Sequence, residues 1–415
     1  EALDAVWRNY CISDILEPGS TFKPFTIAGA IEDGVVKDGD TFYCKGYEIV
    51  ADGTDPIYCH NRTGDGTLTL KQALEQSCNV ALMQIAKSEG KETFSKYQDI
   101  FNFGSQTGID LSGEGSGLVY SEENLNPVEL ATSSFGQGIN VTMIQMITGF
   151  CSLINGGYYY EPHMVDKITN SNGATVENIE PRVLRQTISE STSAKIRQYC
   201  RATVMEEGGD RRTGRTARPA GYAIGGKTGT AETIPRKNGE YVVSFMGYAP
   251  ADDPQIAIYV VVDRANASPQ DDAKFATGIV RNVLTEVLPY LNIFMTEELS
   301  EKEIQELAEK QIEITNQYTQ KPEDGEDQNN GDGTGDGQTG DDQTGSGDGT
   351  GDAQGGDNTT PSEDWRNYPV DPATGYLVSP IDGGLIDPVT GADVGGDDSL
   401  GDSPVNNNLL NQQNE

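Results

Sequence analysis

From Glu323 to about Thr360 the chain is written almost wholly in Gly, Asp, Gln and Thr, as in NNGDGTGDGQTGDDQTGSGDGTGDAQGG. No other feature restricts the possible folds as strongly. A stretch without apolar side chains buries nothing that offsets the entropy of ordering, so disorder is expected there. Any core must come from the part before it, and residues 1–294 carry apolar runs, aromatics and turn signals at ordinary spacing. That length suits one large domain or two ordinary ones. Between the two lies 295–322. Its segment TEELSEKEIQELAEKQIEITNQYT (296–319) has a helical pattern with a thin apolar stripe of Leu299, Ile304, Leu307, Ile312 and Ile314, read as a surface helix or a stalk. In 361–415, VDPATGYLV (370–378) is echoed 16 residues later by IDPVTGADV (386–394), which reads as paired turns or a short hairpin-like extension.

Charge excludes some partners. Residues 321–415 hold 21 acidic and 2 basic side chains, which accounts for −19 of the chain's net −36. A surface this acidic repels phosphate, so neither nucleic acid nor tight binding to anionic lipid is expected. The Asp-Gly spacing hints at calcium loops, but the Glu that would close such a loop is missing from its place, and a solvated linker is expected. No run of about 18 apolar residues occurs, so no membrane-spanning helix is expected in this stretch of chain. The sequence starts at Glu1 rather than Met, and the first part of the gene product, with any signal peptide, is expected upstream. The cysteines are Cys11, Cys44, Cys59, Cys78, Cys151 and Cys200, without a C-x-x-C pair, and His60 and His163 are the only histidines. A zinc site of the usual Cys/His spacing is therefore not expected.

Within 1–294 helices gather early and strands late. Thr21 to Glu32 is apolar at helical spacing and stops before Gly34. LTLKQALEQS (68–77) and VALMQIAKSEG (80–90) read as two helices meeting at Ser77-Cys78-Asn79, and TMIQMITGFCSLINGG (142–157) as another. YAIGGKTGTAE (222–232), YVVSFMGYAP (241–250) and QIAIYVVVDRA (255–265) read as strands, and KFATGIVRNVLTEVLPYL (274–291) as a closing amphipathic helix. This order points to an α+β fold with an antiparallel sheet flanked by helices, not a doubly wound one.

Three short motifs carry chemistry. In EPGSTFKPF (17–25), Ser20 and Lys23 lie three apart, hence on one face if a helix begins at Ser20. A serine alcohol needs a base beside it, and a lysine serves if burial lowers its pKa. With only two histidines, a Ser-His-Asp triad has little to draw on. Ser77 and Asn79 of SCN sit at a helix junction, where a hydroxyl can relay a proton and an amide can hold a substrate amide. GGKTGTAE (225–232) offers the Lys227 charge and the Thr228 and Thr230 hydroxyls, with Gly229 leaving room for close approach. Such a strand edge suits an extended peptide with a terminal carboxylate, and an oxyanion hole made by the Thr230 amide facing that of Ser20 is expected. Each motif alone reads as a cap, a polar turn or an exposed lysine. Their order, with Ser20, Ser77 and Lys227 at intervals of 57 and 150 residues, is that of the serine penicillin-recognising set.

Residues 1 to about 294 resemble the transpeptidase domain of class B penicillin-binding proteins, the peptidoglycan D,D-transpeptidases. The resemblance rests on WRNYCISDILEPGSTFKPFT, LEQSCNVALMQIA, FGQGINVTMIQM and GGKTGTAE; GQGINVT (136–142) separates it from β-lactamases, which share the other three motifs. It implies that Ser20 attacks the penultimate D-Ala carbonyl of a stem peptide and that Lys23 takes its proton. It implies further that Ser77 relays a proton to the departing D-Ala, that Asn79 binds the peptide, and that Lys227, Thr228 and Thr230 hold the terminal carboxylate, with Gly229 giving clearance. No metal or organic cofactor is implied. The implied partners are peptidoglycan stem peptides, β-lactams that acylate Ser20, and a membrane glycosyltransferase or divisome partner, with division, elongation and sporulation all open as the setting; the implied location is the extracytoplasmic face of the bacterial membrane. The family's anchor, its pedestal domain and further strand segments are expected ahead of Ser20, so a short sheet is expected here. A disulfide persists outside the cytoplasm, and Cys44–Cys59, which flank CKGYEIVADGTDPIYC, are the first pairing to expect, with Cys59–Cys78 as its rival and buried unpaired cysteines as the equal alternative. A β-lactamase, a β-lactam sensor and a non-catalytic scaffold remain the competing classes.

Overall fold

The computed structural model describes residues 7–205, 211–312 and 314, together with the backbone of 377–378 and 385–386. The chain divides into two units, Glu1–Glu326 and Asp327–Glu415. The disorder and calcium readings for 323–360 lie outside the described residues. In the second unit a two-residue antiparallel ladder pairs Leu377 with Ile386 and Val378 with Leu385, just inside the two D-P-x-T-G copies.

In the first unit α1 (Tyr10–Ser13) is capped by Asn9 and leads into β1 (Ile15–Leu16). A 3-10 turn, Gly19–Phe22, runs directly into α2 (Lys23–Glu32), so Ser20 sits in the tighter turn and Lys23 opens the α-helix. Every residue of α2 from Lys23 to Ala30 is buried, which makes it the central helix. β2 (Thr41–Cys44) pairs with β5 (Gly66–Thr69), and the excursion between them folds on itself through β3 (Tyr47–Glu48) and β4 (Ile57–Tyr58). α3 (Leu70–Glu75) starts at a Thr69/Gln72 capping box, and α4 (Asn79–Ile100) is broken at Gly90. The expected junction of two helices at 77–79 is present, and α4 continues past the expected end at Gly90 to Ile100.

α5 (Pro127–Ser133) follows an Asn126 cap, β6 (Val141–Thr142) pairs with β1, and α6 (Met143–Ile154) starts at a Thr142/Gln145 capping box. β7 (Tyr158–Tyr160) pairs with β10 (Val183–Gln186), and β8 (Lys167–Thr169) with β9 (Thr175–Asn178). After α7 (Glu190–Ala202) come the three long strands, β11 (Gly225–Glu232), β12 (Tyr241–Ala249) and β13 (Ile256–Asp263), antiparallel in the order β11-β12-β13. α8 (Lys274–Tyr290) covers this sheet. The core joins α2, α4, α6 and α7 to one face of the sheet through residues such as Phe25, Ile85, Phe150, Ile196, Met246 and Tyr248. The class is α+β, as the sequence order implies.

The 296–319 segment is helical over α9 (Glu301–Glu309), begun by a Ser300/Glu303 capping box. It is no free stalk. Leu307 is 1% exposed and belongs to the core. Ion pairs Arg218–Glu303 and Arg281–Glu306 fasten the helix to the body. Among the described residues no helix is long and apolar enough to cross a membrane.

Candidate active site

The three motifs converge on the Ser77 hydroxyl. Lys23 donates to the Ser77 carbonyl (2.6 Å), to Ser77 Oγ (3.0 Å) and to Asn79 Oδ1 (2.8 Å). Lys227 donates to the same Ser77 Oγ (2.9 Å) and to the Thr228 carbonyl (3.0 Å). An ammonium has three protons, so the second motif takes all three from Lys23. The sequence alone suggests a Ser20–Lys23 pair on one helix face; in the structure Lys23 Nζ lies within hydrogen-bond reach of Ser77 and Asn79. Ser20, half-buried, occupies the 3-10 turn one turn ahead.

Local conformation fixes this convergence. α3 ends at Glu75, and Ser77 turns the chain with φ +56°, a left-handed value that non-glycine residues rarely adopt. Cys78 then caps α4 through a Cys78 Sγ contact from the Ala81 amide (3.4 Å). The turn aims the carbonyl and hydroxyl of Ser77 at α2.

Both lysines are fully buried. Burial pushes Lys23 down to about 8, with the Cys78 and Cys59 sulfurs and the Asp65 carboxylate opposing the fall. Burial, and then the Lys23 charge, holds Lys227 well below the usual lysine range. Two amines share one hydroxyl without a carboxylate in direct contact, so the site favours losing a proton. When both are protonated they occupy the two lone pairs of Ser77 Oγ, and the Ser77 proton is left to donate elsewhere.

β11 is the edge of its sheet among the described residues. The Gly226 carbonyl accepts from Thr203 Oγ1, so residue 226 turns its backbone away from β12. By the two-residue period of a strand, Thr228 and Thr230 do the same. The Ser20 turn packs against this open side: a Cβ on Gly19 would lie 2.8 Å from the Thr230 carbonyl. Thr230 is exposed and Thr228 is 6% exposed. At Gly229 the protein's own packing also needs the missing side chain. A Cβ there would meet Ser244 Oγ at 2.3 Å, Thr21 Cγ2 at 3.0 Å and the Pro18 carbonyl at 3.1 Å.

Sequence reasoning missed the supports. Gly136 of GQGINVT accepts the Gly19 amide at its carbonyl (2.9 Å), and a Cβ on Gly136 would lie 2.1 Å from the Gly19 carbonyl. Glu17 accepts from the Gly138 amide (2.8 Å) and pairs with Arg236 (2.6 Å), which ties the serine turn to the loop after β11. Gly136 and Gly138 stand in a quoted motif, but nothing in the motif names Gly19 and Glu17 as their partners. All six cysteines are thiols: Cys59 and Cys78 Sγ lie 3.8 Å apart, and neither expected bridge is formed.

The profile of the penicillin binding protein transpeptidase domain matches residues 2–285. Stage V sporulation protein D of Bacillus subtilis is 40% identical over 319 residues, which cover 74% of this chain and 48% of that protein. A protein of Neisseria flavescens described as probable peptidoglycan D,D-transpeptidase PenA is 29% identical over 299 residues, covering 71% of this chain and 69% of that one. The D,D-transpeptidase domain of an Eggerthella lenta peptidoglycan glycosyltransferase superposes with a TM-score of 0.62 at 27% identity, over 69% of this chain and 68% of that one. Penicillin binding protein 3 of Mycobacterium tuberculosis, complexed with aztreonam, gives 0.63 at 26% identity, over 70% and 66%. The chain belongs to the penicillin-binding protein transpeptidase family, and its match spans about half the length of the Bacillus relative.

Proposed function

We propose that this chain is an acyl-serine D,D-transpeptidase acting on peptidoglycan stem peptides. The observation that carries the reading is the Ser77 hydroxyl held at 3.0 and 2.9 Å by two fully buried lysines drawn from the first and third motifs. Ser20 Oγ attacks the penultimate D-Ala carbonyl. Neutral Lys23 accepts the Ser20 proton, because a neutral amine trades one donated proton for a lone pair. The developing oxyanion faces two N–H groups: that of Ser20, in the first turn of a helix where amides lack an intrahelical partner, and that of Thr230 on the open side of β11. Ser77, its oxygen engaged by the two lysines, donates its proton to the departing D-Ala amine. Lys227 and the Thr228 and Thr230 hydroxyls receive the terminal carboxylate, and Asn79 an amide of the peptide. The amine of a neighbouring stem peptide then resolves the ester and restores Ser20.

Substrates of this kind lie outside the cytoplasm, so the reading places the domain on the extracytoplasmic face of the membrane, beside the glycosyltransferase that supplies nascent glycan. β-Lactams act as mimics of D-Ala-D-Ala that acylate Ser20. The direct test is intact-mass spectrometry after incubation with benzylpenicillin. A stable adduct of one penicilloyl group on the parent, absent from Ser20→Ala, is the expected result. Penicillin consumed without an adduct would make the chain a hydrolase; penicillin left intact would make it a scaffold.

A further inference from the structure

Beside the SCN turn, four side chains that the proposed reaction does not use point at one another. They are Cys44 at the end of β2, Cys59 after β4, Asp65 before β5 and Cys78 at the cap of α4. Their three sulfurs and one carboxylate oxygen all lie within 4.8 Å of one another. The cysteines are 1%, 2% and 0% exposed and the Asp65 side chain 3%. We propose that Cys44, Cys59, Cys78 and Asp65 form a structural site for a thiophilic divalent cation of the zinc type. The site stands apart from the catalytic reading and is tested apart from it.

The geometry suits such an ion before it arrives. Zinc binds thiolate at about 2.3 Å, and a tetrahedron of that radius has edges of about 3.8 Å. Cys59 Sγ lies 3.8 Å from Cys78 Sγ and 3.8 Å from Asp65 Oδ2. The surroundings also suit it. Asp65 Oδ1 accepts from Asn61 Nδ2 (2.7 Å) and has Arg211 at 3.9 Å, which turns Oδ2 toward the sulfurs. The Ala81 amide donates to Cys78 Sγ (3.4 Å), and hydrogen bonds around the ligands are the usual support of a metal site. His60 Nδ1, 3.6 Å from Cys59 Sγ, flanks the cluster.

A Cys59–Cys78 bridge would account for two of the four groups. It would leave a buried carboxylate facing a buried third thiol, where a cation satisfies all four. Spacing could not reveal the site, because the ligands come from three separate segments, one of them the helix cap. The ion would clamp β2 and the β3–β4 excursion to residue 78, between Ser77 and Asn79.

The test loads the full chain, purified under reducing conditions, with zinc or with cobalt(II), and reads bound metal by native mass spectrometry and the cobalt by its absorption. One zinc per chain and a thiolate-to-cobalt charge-transfer band are expected from the unaltered protein. Cys44→Ser and Asp65→Asn should lose the metal, and Cys11→Ser should keep it. Asn61→Ala should weaken zinc affinity about 10–100-fold, as outer-shell changes do. A chain that stays metal-free in excess zinc would overturn the proposal, as would a peptide pair linking Cys59 to Cys78 in the zinc-treated protein. Ser20→Ala should bind zinc normally while losing the penicilloyl adduct, so failure of the metal site and failure of the catalytic reading are told apart.

Discussion

Replacing Glu89 with glutamine should remove a loss of stability that sets in as pH rises through a defined window. Glu89 lies in α4 one residue before the Gly90 break, 7% exposed, against the aromatic cluster of Phe22, Phe25 and Phe94. Among the described residues no donor or acceptor reaches either of its carboxylate oxygens. Burial pushes its pKa up to about 8; Asp33 adds to the rise, and Lys96 opposes it. Lys96 is itself engaged by Asp33 at 2.8 Å, so it neutralises Glu89 poorly. The unfolded chain releases this proton near the ordinary glutamate value of 4.5, while the folded chain holds it to about 8. Between those values the unfolded state binds fewer protons, so stability falls as pH rises and levels off above about 8. The gap of about 3.5 pH units is worth up to about 5 kcal/mol at 1.36 kcal/mol per unit. A glutamine amide keeps the shape of the carboxyl and cannot ionise. Urea unfolding at pH 4.5 and pH 8.5 gives the double difference directly. Glu89→Gln should gain at least about 2 kcal/mol on the parent between the two pH values, since some relaxation around a buried carboxylate is general. Parallel pH profiles for the two proteins would refute the assignment of a buried, neutral carboxyl.

Other outcomes follow from the same structure. Acylation of Ser20 by benzylpenicillin should rise with pH and flatten above about 8, because Lys23 acts only when neutral; a rate flat from pH 6 to pH 9 in stopped-flow would remove Lys23 as the base. Gly136→Ala should place a methyl against the Gly19 carbonyl at a residue with φ +81°, displacing the Ser20 turn; the acylation rate should fall at least about tenfold, about 1.4 kcal/mol, within the usual cost of overpacking. Leu307→Ala should cost about 2–5 kcal/mol in urea unfolding, since the side chain is 1% exposed in the core; a neutral result would return α9 to the status of a stalk.

What the sequence discloses is what is local. Helix starts at Thr69, Thr142 and Ser300 are legible because each cap is closed by a Gln or Glu three residues on. The three long strands are legible from their apolar runs, and the three motifs from their order. What escapes is contact across long stretches of chain. The Lys23 protons go to residues 54 and 56 positions away, although the i,i+3 spacing points at Ser20. Gly136 is needed because Gly19 packs on it, a contact over more than a hundred residues. Cys44, Cys59, Asp65 and Cys78 lack the tight spacing of a familiar metal motif, because three strand ends and a helix cap bring them together. The stripe of 296–319 reads as thin because one residue, Leu307, does most of the burying.

The position of β11 limits how much peptide the domain can take. An unpaired strand invites any extended segment to add to it, including one from a misfolded neighbour. Here the invitation is short. Thr203 fills the backbone position at Gly226, and the Ser20 turn crowds the Thr230 carbonyl. Only the stretch around Thr228 to Thr230 is left open, a short length that suits the chain end the proposed function would bring there. On the proposed function, the same crowding would make this edge a reader of chain ends rather than of peptides in general.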